Sequence, residues 1–255
     1  MKALILAGGL GSRLSEFTDI VPKPMVHISN KPILLHIMEH FSKFSVKDFY
    51  IATGYKNEII KKYFSNISNQ SQSIGKKHIC FKNFKQKNYI NWQVNLIDTG
   101  SNSMTGGRLK KLSKFINKNE NFFMTYGDGL SSVNLDHLYK FHIKHGKIGT
   151  VTAVHPPARF GELKLNKNSK VLTFKEKPQT TSSWINGGFF IFNKKFFDYL
   201  KSSLSILEEE PLEKLSSNNN LMAFKHNGFW QPMDTKRDKD YLEKLFKKNK
   251  KKWPL

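Results

Sequence analysis

The chain has 255 residues, with 42 Lys and Arg against 20 Asp and Glu, and a formal net charge of +22. Its 21 Phe and 13% aromatic content exclude a disordered polymer, since that much apolar surface can offset the entropy of ordering. No apolar run approaches the roughly 18–20 residues of a membrane span, and the single Cys80 excludes an intramolecular disulfide and fits a reducing cytoplasm. Basic residues are spread along the whole chain, apart from a Lys-rich run near residue 250. Such a distribution reads as a solvated lysine surface, not as the footprint of a nucleic acid or a membrane.

In chain order, residues 2–7 form a short apolar run that stops at Gly8-Gly9. This predicts a buried parallel strand in preference to a secretion signal. Asn30 and Pro32 stand where a cap and first turn would precede a periodic helix at 33–44. A strand at 48–54 and a helix at 57–64 follow, and then 66–92, polar and basic, reads as an irregular insertion. Strands are expected at 94–97 and 122–126 around an amphipathic helix at 109–116, then a helix at 135–145 and a strand at 149–154. Short strands at 163–165, 171–174 and 188–192, a helix near 208–215, a strand at 222–225 and a last helix at 238–246 complete the series. This alternation predicts an α/β fold with an open, mostly parallel sheet flanked by helices, and a smaller mixed part attached. With no repeat and no Pro/Ser-rich linker, residues 1–255 read as one domain.

The first motif is Leu6-Ala7-Gly8-Gly9-Leu10-Gly11-Ser12-Arg13-Leu14, followed by Pro22-Lys23-Pro24. A glycine turn directly after a buried strand lets backbone N–H groups approach phosphates closely. The third glycine of a dinucleotide fingerprint is missing, and so is the Gly-Lys-Ser/Thr of a P-loop. Arg13 lies inside the loop, and prolines on both sides stiffen the backbone at Lys23. Only four of the 42 basic residues are Arg, namely Arg13, Arg108, Arg159 and Arg237, so each is a candidate for needing the guanidinium fork.

This combination resembles the signature of the sugar nucleotidyltransferases, whose usual form has Thr where Ser12 stands. The resemblance implies a Rossmann-like twisted sheet of the nucleotide-diphospho-sugar transferase type. It also implies that Arg13 and Lys23 contact a triphosphate and stabilise the transition state of nucleotidyl transfer. Asp128 in Tyr126-Gly127-Asp128-Gly129 and Asp234 in Trp230-Gln231-Pro232-Met233-Asp234-Thr235 follow and precede predicted elements. Mg²⁺ takes one or two carboxylates plus phosphate oxygens, and both positions match the family's metal aspartates. A turn residue at Asp128 and a helix cap at Asp234 are the plainer alternatives.

On the sugar-phosphate side, Gly161, Glu176-Lys177-Pro178 and Asn186-Gly187-Gly188 match the family's motif in order and spacing, with Arg159 a weaker candidate. The segment Leu96-Ile97-Asp98-Thr99-Gly100, with Thr105-Gly106-Gly107-Arg108-Leu109, resembles the glucose-1-phosphate cytidylyltransferases of the family. Leu6, Ala7, Gly8, Gly9, Gly11 and Ser12, with Thr105, Gly106, Gly107, Arg108 and Asp128, are the expected nucleotide contacts. In that reading CTP and glucose 1-phosphate are the substrates and Mg²⁺ the cofactor. Residues 1–154 serve mainly the nucleotide and 155–255 mainly the sugar phosphate, with no nucleic-acid or membrane partner. A homo-oligomer stays open, as do another nucleotide, a modified hexose phosphate, and a non-catalytic binder of the same fold. Against the binder stands the complete set Arg13, Lys23, Asp128, Lys177 and Asp234.

Overall fold

Lys2–Leu6 forms β1, whose apolar residues are all buried, as expected of a strand covered on both faces. The computed structural model describes residues 1–156, 162–175 and 183–248, without the side chains of Arg13, Glu162 and Lys175. After β1 come α1 (Ser15–Thr18), β2 (His27–Ile28), β3 (Lys31–Pro32), α2 (Ile33–Lys43), β4 (Asp48–Thr53) and α3 (Asn57–Ile67). Next are β5 (Ser68–Ser73), β6 (His78–Phe84), β7 (Gln93–Asp98), α4 (Thr105–Leu112), β8 (Asn121–Tyr126) and β9 (Gly129–Ser131). Then follow α5 (Leu135–His145), β10 (Gly149–Val154), β11 (Glu162–Leu165), β12 (Val171–Lys175) and β13 (Ile185–Asn193). The series closes with α6 (Glu210–Ser217), β14 (Leu221–His226), β15 (Trp230–Pro232) and α7 (Lys236–Lys248).

Nine strands form one sheet in the order β14-β10-β13-β8-β1-β4-β7-β6-β5. All run the same way except β13 and β6, so the centre β8-β1-β4-β7 is wholly parallel. Side chains alternate along β1: Ala3 and Ile5 join Phe41, Phe49 and Trp92 in one core, while Leu4 and Leu6 join Leu109, Phe122 and Phe190 in another. The two cores lie on opposite faces of the sheet.

Two expectations are corrected. Residues 66–92 are not irregular: β5 and β6 form a hairpin that extends the sheet, and Tyr89 stacks on buried Trp92 with ring centroids 4.1 Å apart. Nor does Asn30 cap α2. The cap position is Pro32, and Ile33 N donates to Val26 O at 3.0 Å, so the residue just before β2 supplies the acceptor a polar cap would otherwise give. Among the described residues no helix is long and apolar enough to cross a membrane.

Candidate active site

The parallel strands end at one edge of the sheet, and a cleft of about 830 Å³ opens there. β1 and β8 present their C-terminal ends to it, β7 the turn that follows it, and the reversed β13 its beginning. Leu6, Ala7, Gly8, Gly9, Gly11, Ser12, Lys23, Thr105, Arg108, Asp128, Asn186, Gly187 and Asp234 all line it. Distant stretches of sequence therefore meet in one place.

The glycine loop is held from several sides. Ala7 N donates to Ala52 O at 2.9 Å, Gly8 O accepts from Tyr55 N at 3.1 Å, and Leu6 O accepts from Gly127 N at 3.0 Å. Gly11 has φ of +68°, and a Cβ there would stand 2.9 Å from Thr18 Cγ2, so no other residue fits easily. Gly9 faces open space.

Lys23 lies in a one-turn 3₁₀ helix, Lys23–Met25, between Pro22 and Pro24. Its Nζ donates to Asp128 Oδ2 at 2.5 Å and to Asp234 Oδ1 at 2.6 Å. Burial pulls the ammonium's pKa down, but the charge and hydrogen bonds of Asp128 and Asp234 outweigh that and hold it above the ordinary lysine value. The two aspartates meet because β9 pairs with β15, placing Gly129 opposite Pro232, while Met233 N donates to Asp128 O at 2.9 Å. Asp234 is not the cap of α7. Thr235 and Asp238 cap it reciprocally: Thr235 N donates to Asp238 Oδ2 at 2.9 Å and Asp238 N to Thr235 Oγ1 at 3.3 Å. The Asp234 carboxylate instead receives Lys23.

Two carboxylates converging on one cationic atom suit a hard divalent ion that completes its shell with phosphate oxygens and water. Among the described residues no group of three or more His, Cys, Asp and Glu could hold a metal, so the protein's share there is these two carboxylates.

Arg108 is buried beneath the loop. Its Nη1 donates to Thr99 Oγ1 and Gly100 O, both at 2.7 Å, and its Nη2 to Ser101 O at 3.0 Å. With a further bond from Nη1 to Thr53 O at 3.3 Å, they tie the end of β4 to the turn that follows β7. The neighbouring Gly106 and Gly107, expected at the nucleotide, pack away from the cleft inside α4. A Cβ on Gly107 would lie 1.9 Å from Ser203 O, and Gly107 N donates to Ser205 O at 3.0 Å. These glycines permit a close approach between helix and loop, and the Gly107 N–H is taken by Ser205 O.

Arg159, Gly161, Glu176 and Lys177 lie outside the described residues, and of Arg13 only the backbone is described. Asn186 Oδ1 accepts from Gly188 N at 2.8 Å, and Trp230 Nε1 donates to Gly187 O at 2.7 Å, which fixes that stretch of backbone in the cleft wall. Sequence reasoning did not find Glu208. Its carboxylate accepts from Tyr126 OH and, at 2.7 Å, from Thr105 Oγ1, linking the nucleotide segment to the strand that leads to Asp128. No motif surrounds Glu208. Trp230 and Tyr126, by contrast, sit inside the motifs that carry Asp234 and Asp128.

The profile of the nucleotidyl transferase family matches residues 2–245. A glucose-1-phosphate cytidylyltransferase of Salmonella typhimurium is 47% identical over 255 residues, covering 99% of this chain and 98% of that protein. A probable glucose-1-phosphate cytidylyltransferase of Bacillus subtilis is 36% identical over 256 residues, covering 100% of both. The crystal structure of HddC from Yersinia pseudotuberculosis superposes with a TM-score of 0.70 at 24% identity, covering 96% of this chain and 99% of that one, a likeness of fold. A match of this length, together with that fold, makes the chain a member of the nucleotidyl transferase family.

Proposed function

We propose that the chain transfers the cytidylyl group of CTP to α-D-glucose 1-phosphate, giving CDP-glucose and pyrophosphate. The observation that carries this reading is 47% identity along the full chain to a protein of that activity's name. The cleft supports it with a phosphate-sized glycine loop, a buried lysine and two converging aspartates on one rim. Residues 1–154 take mainly the nucleotide and 155–255 mainly the sugar phosphate, within one catalytic unit.

The reaction is one in-line displacement. A phosphate oxygen of the sugar phosphate attacks the α-phosphorus of CTP, and the bond from that phosphorus to the bridging oxygen of pyrophosphate breaks. No general base is required, because the sugar phosphate is already ionised near neutral pH. The protein's part is positioning and charge neutralisation. Backbone N–H groups of the loop 8–12 cradle the triphosphate, with the Ser12 hydroxyl beside them. Lys23 and Arg13 face the charge that grows on the leaving pyrophosphate. Lys177 orients the attacking phosphate, and Gly161, Glu176, Asn186 and Gly187 hold the sugar. Asp128 and Asp234 would hold Mg²⁺, which when bound neutralises phosphate charge. Arg108 acts from below, by fixing the turns on which the loop rests. A buried free Cys80 fits work in the reducing cytoplasm.

Pyrophosphate release with glucose 1-phosphate and a panel of CTP, UTP, dTTP, ATP and GTP tests the assignment. CTP is expected to give by far the highest kcat/KM. Equal or faster turnover with dTTP would overturn the cytidylyl reading and leave the fold untouched.

A further inference from the structure

Two carboxylates that face each other across a few ångströms repel unless a cation lies between them. Here that cation is part of the chain. Lys23 Nζ stands 2.5 Å from Asp128 Oδ2 and 2.6 Å from Asp234 Oδ1, in charge-assisted hydrogen bonds to both. Those two oxygens also form the donor set assigned above to a divalent ion, and among the described residues no larger cluster offers the ion another place. Ammonium and metal therefore compete for the same two atoms.

The backbone and the head group of Lys23 are held differently. Pro22 and Pro24 restrict the main chain on either side, whereas the four-carbon stem has rotatable bonds that can re-aim the head group. That stem lies along the glycine loop: a Cβ on Gly11 would be 3.1 Å from Lys23 Cβ and 3.6 Å from Lys23 Cδ. A phosphate lying on this loop would offer the ammonium a new anionic partner without any movement of backbone.

We propose that Lys23 is a displaceable counterion, holding Asp128 and Asp234 ready in the metal's place and transferring to the triphosphate when nucleotide and metal enter. The proposal rests on the reading of the two aspartates as the metal's carboxylates. A metal arriving alone has to evict the ammonium and leave it without a partner, so it binds weakly. A metal arriving with triphosphate finds the ammonium a new place. By linkage each ligand raises the affinity of the other. The lysine thus makes metal binding conditional on nucleotide.

The test is a Mn²⁺ titration followed by electron paramagnetic resonance of the free ion, without nucleotide, in 0.5 M NaCl. High salt screens the exposed lysines of the surface but not the buried pair itself, so the gain that is read belongs to Lys23 at the two carboxylates. Lys23→Met is expected to bind Mn²⁺ at least about tenfold more tightly than the parent, and Asp128→Asn in the Lys23→Met background to abolish that gain. Unchanged or weaker binding in Lys23→Met, or a gain that survives Asp128→Asn, overturns the proposal. Should Lys23→Met fail to fold, the unaltered chain gives the answer through acylation of Lys23 by an amine-reactive ester, read by mass spectrometry. Saturating Mn²⁺ alone is expected to raise that rate at least about threefold, and an unchanged or lower rate overturns the proposal. Neither readout depends on turnover, so failure here leaves the cytidylyl reading standing, and the nucleotide panel can fail without touching this one.

Discussion

A Cβ on Gly8 would lie 2.3 Å from Arg108 Nη1, so the first glycine of the loop and the guanidinium beneath it share space that a single side chain fills. Gly8→Ala should accordingly destabilise the chain by about 1–3 kcal/mol, the usual range for overpacking. With Arg108 already replaced by Ala, the added cost of Gly8→Ala should fall by at least half. Urea unfolding of the parent, both single variants and the double variant measures this coupling. Fully additive costs would show that the two residues do not compete.

Asp128→Asn and Asp234→Asn should each reduce turnover by roughly 10²–10³-fold or more while leaving the chain folded. Thr235 and Asp238 cap α7 reciprocally, so the second variant is expected to spare the helix. Steady-state rates at several Mg²⁺ concentrations, with thermal melts alongside, decide the matter. Near-normal turnover in Asp234→Asn would reduce that residue to a partner of Lys23.

Arg13→Lys should lower turnover at least about tenfold, which corresponds to roughly 1.4 kcal/mol of transition-state stabilisation. With only four Arg among 42 basic residues, a retained Arg inside a phosphate loop is a candidate for bidentate contact. The loss should appear in kcat as well as KM, since the contact strengthens as charge moves toward the pyrophosphate. Arg237→Lys, in α7, is the comparison and should be much milder. Parental turnover in Arg13→Lys would mean that an ammonium suffices.

Stability should fall in mild acid because of buried histidines. His40 Nε2 donates to Val133 O at 2.8 Å and His36 Nε2 to Ile28 O at 3.0 Å, which leaves each Nδ1 buried without a partner among the described residues. Burial lowers both pKa values, and that of His142, to about 4, against an ordinary 6.5. Below pH 6.5 the unfolded chain takes up protons that the folded chain refuses until about pH 4. The stability present above pH 6.5 is therefore lost progressively across that window. His40→Gln keeps a donor for Val133 O but does not titrate. Between pH 7 and 5 it should lose about 2 kcal/mol less than the parent in urea unfolding. Parallel losses would exclude His40 as a contributor.

How legible each part was depended on the kind of signal it left. A strand buried on both faces, such as Lys2–Leu6, announces itself by an unbroken apolar run from Ala3 to Leu6. The hairpin at Ser68–Phe84 did not, because its outer strand, Ser-Asn-Gln-Ser-Gln-Ser, is polar and exposed at the sheet edge, and Asn83 interrupts the inner one with φ of +53°. Asp128, Asp234 and Lys23 were visible as motif residues. Their convergence was not, since it depends on the β9–β15 pairing of two three-residue strands far apart in sequence. Gly106 and Gly107 were ambiguous, because a glycine that admits a ligand and one that admits a neighbouring loop look the same in a sequence. Glu208 left no local pattern at all, its partners being Thr105 and Tyr126 on other elements.

The pairing of β9 with β15 also bears on how the chain is made. Lys23, Asp128 and Asp234 are separated by 105 and 211 positions in their two hydrogen bonds. Synthesis delivers the glycine loop and Lys23 first, Asp128 105 residues after Lys23 and Asp234 211 residues after it. Until the stretch from Trp230 to Asp234 has left the ribosome exit tunnel, Asp128 has one half of its cation cradle and β9 has no strand to pair with. A nascent chain arrested before that point exposes the phosphate loop without the second carboxylate, and a translation pause placed there would separate nucleotide binding from catalysis in time.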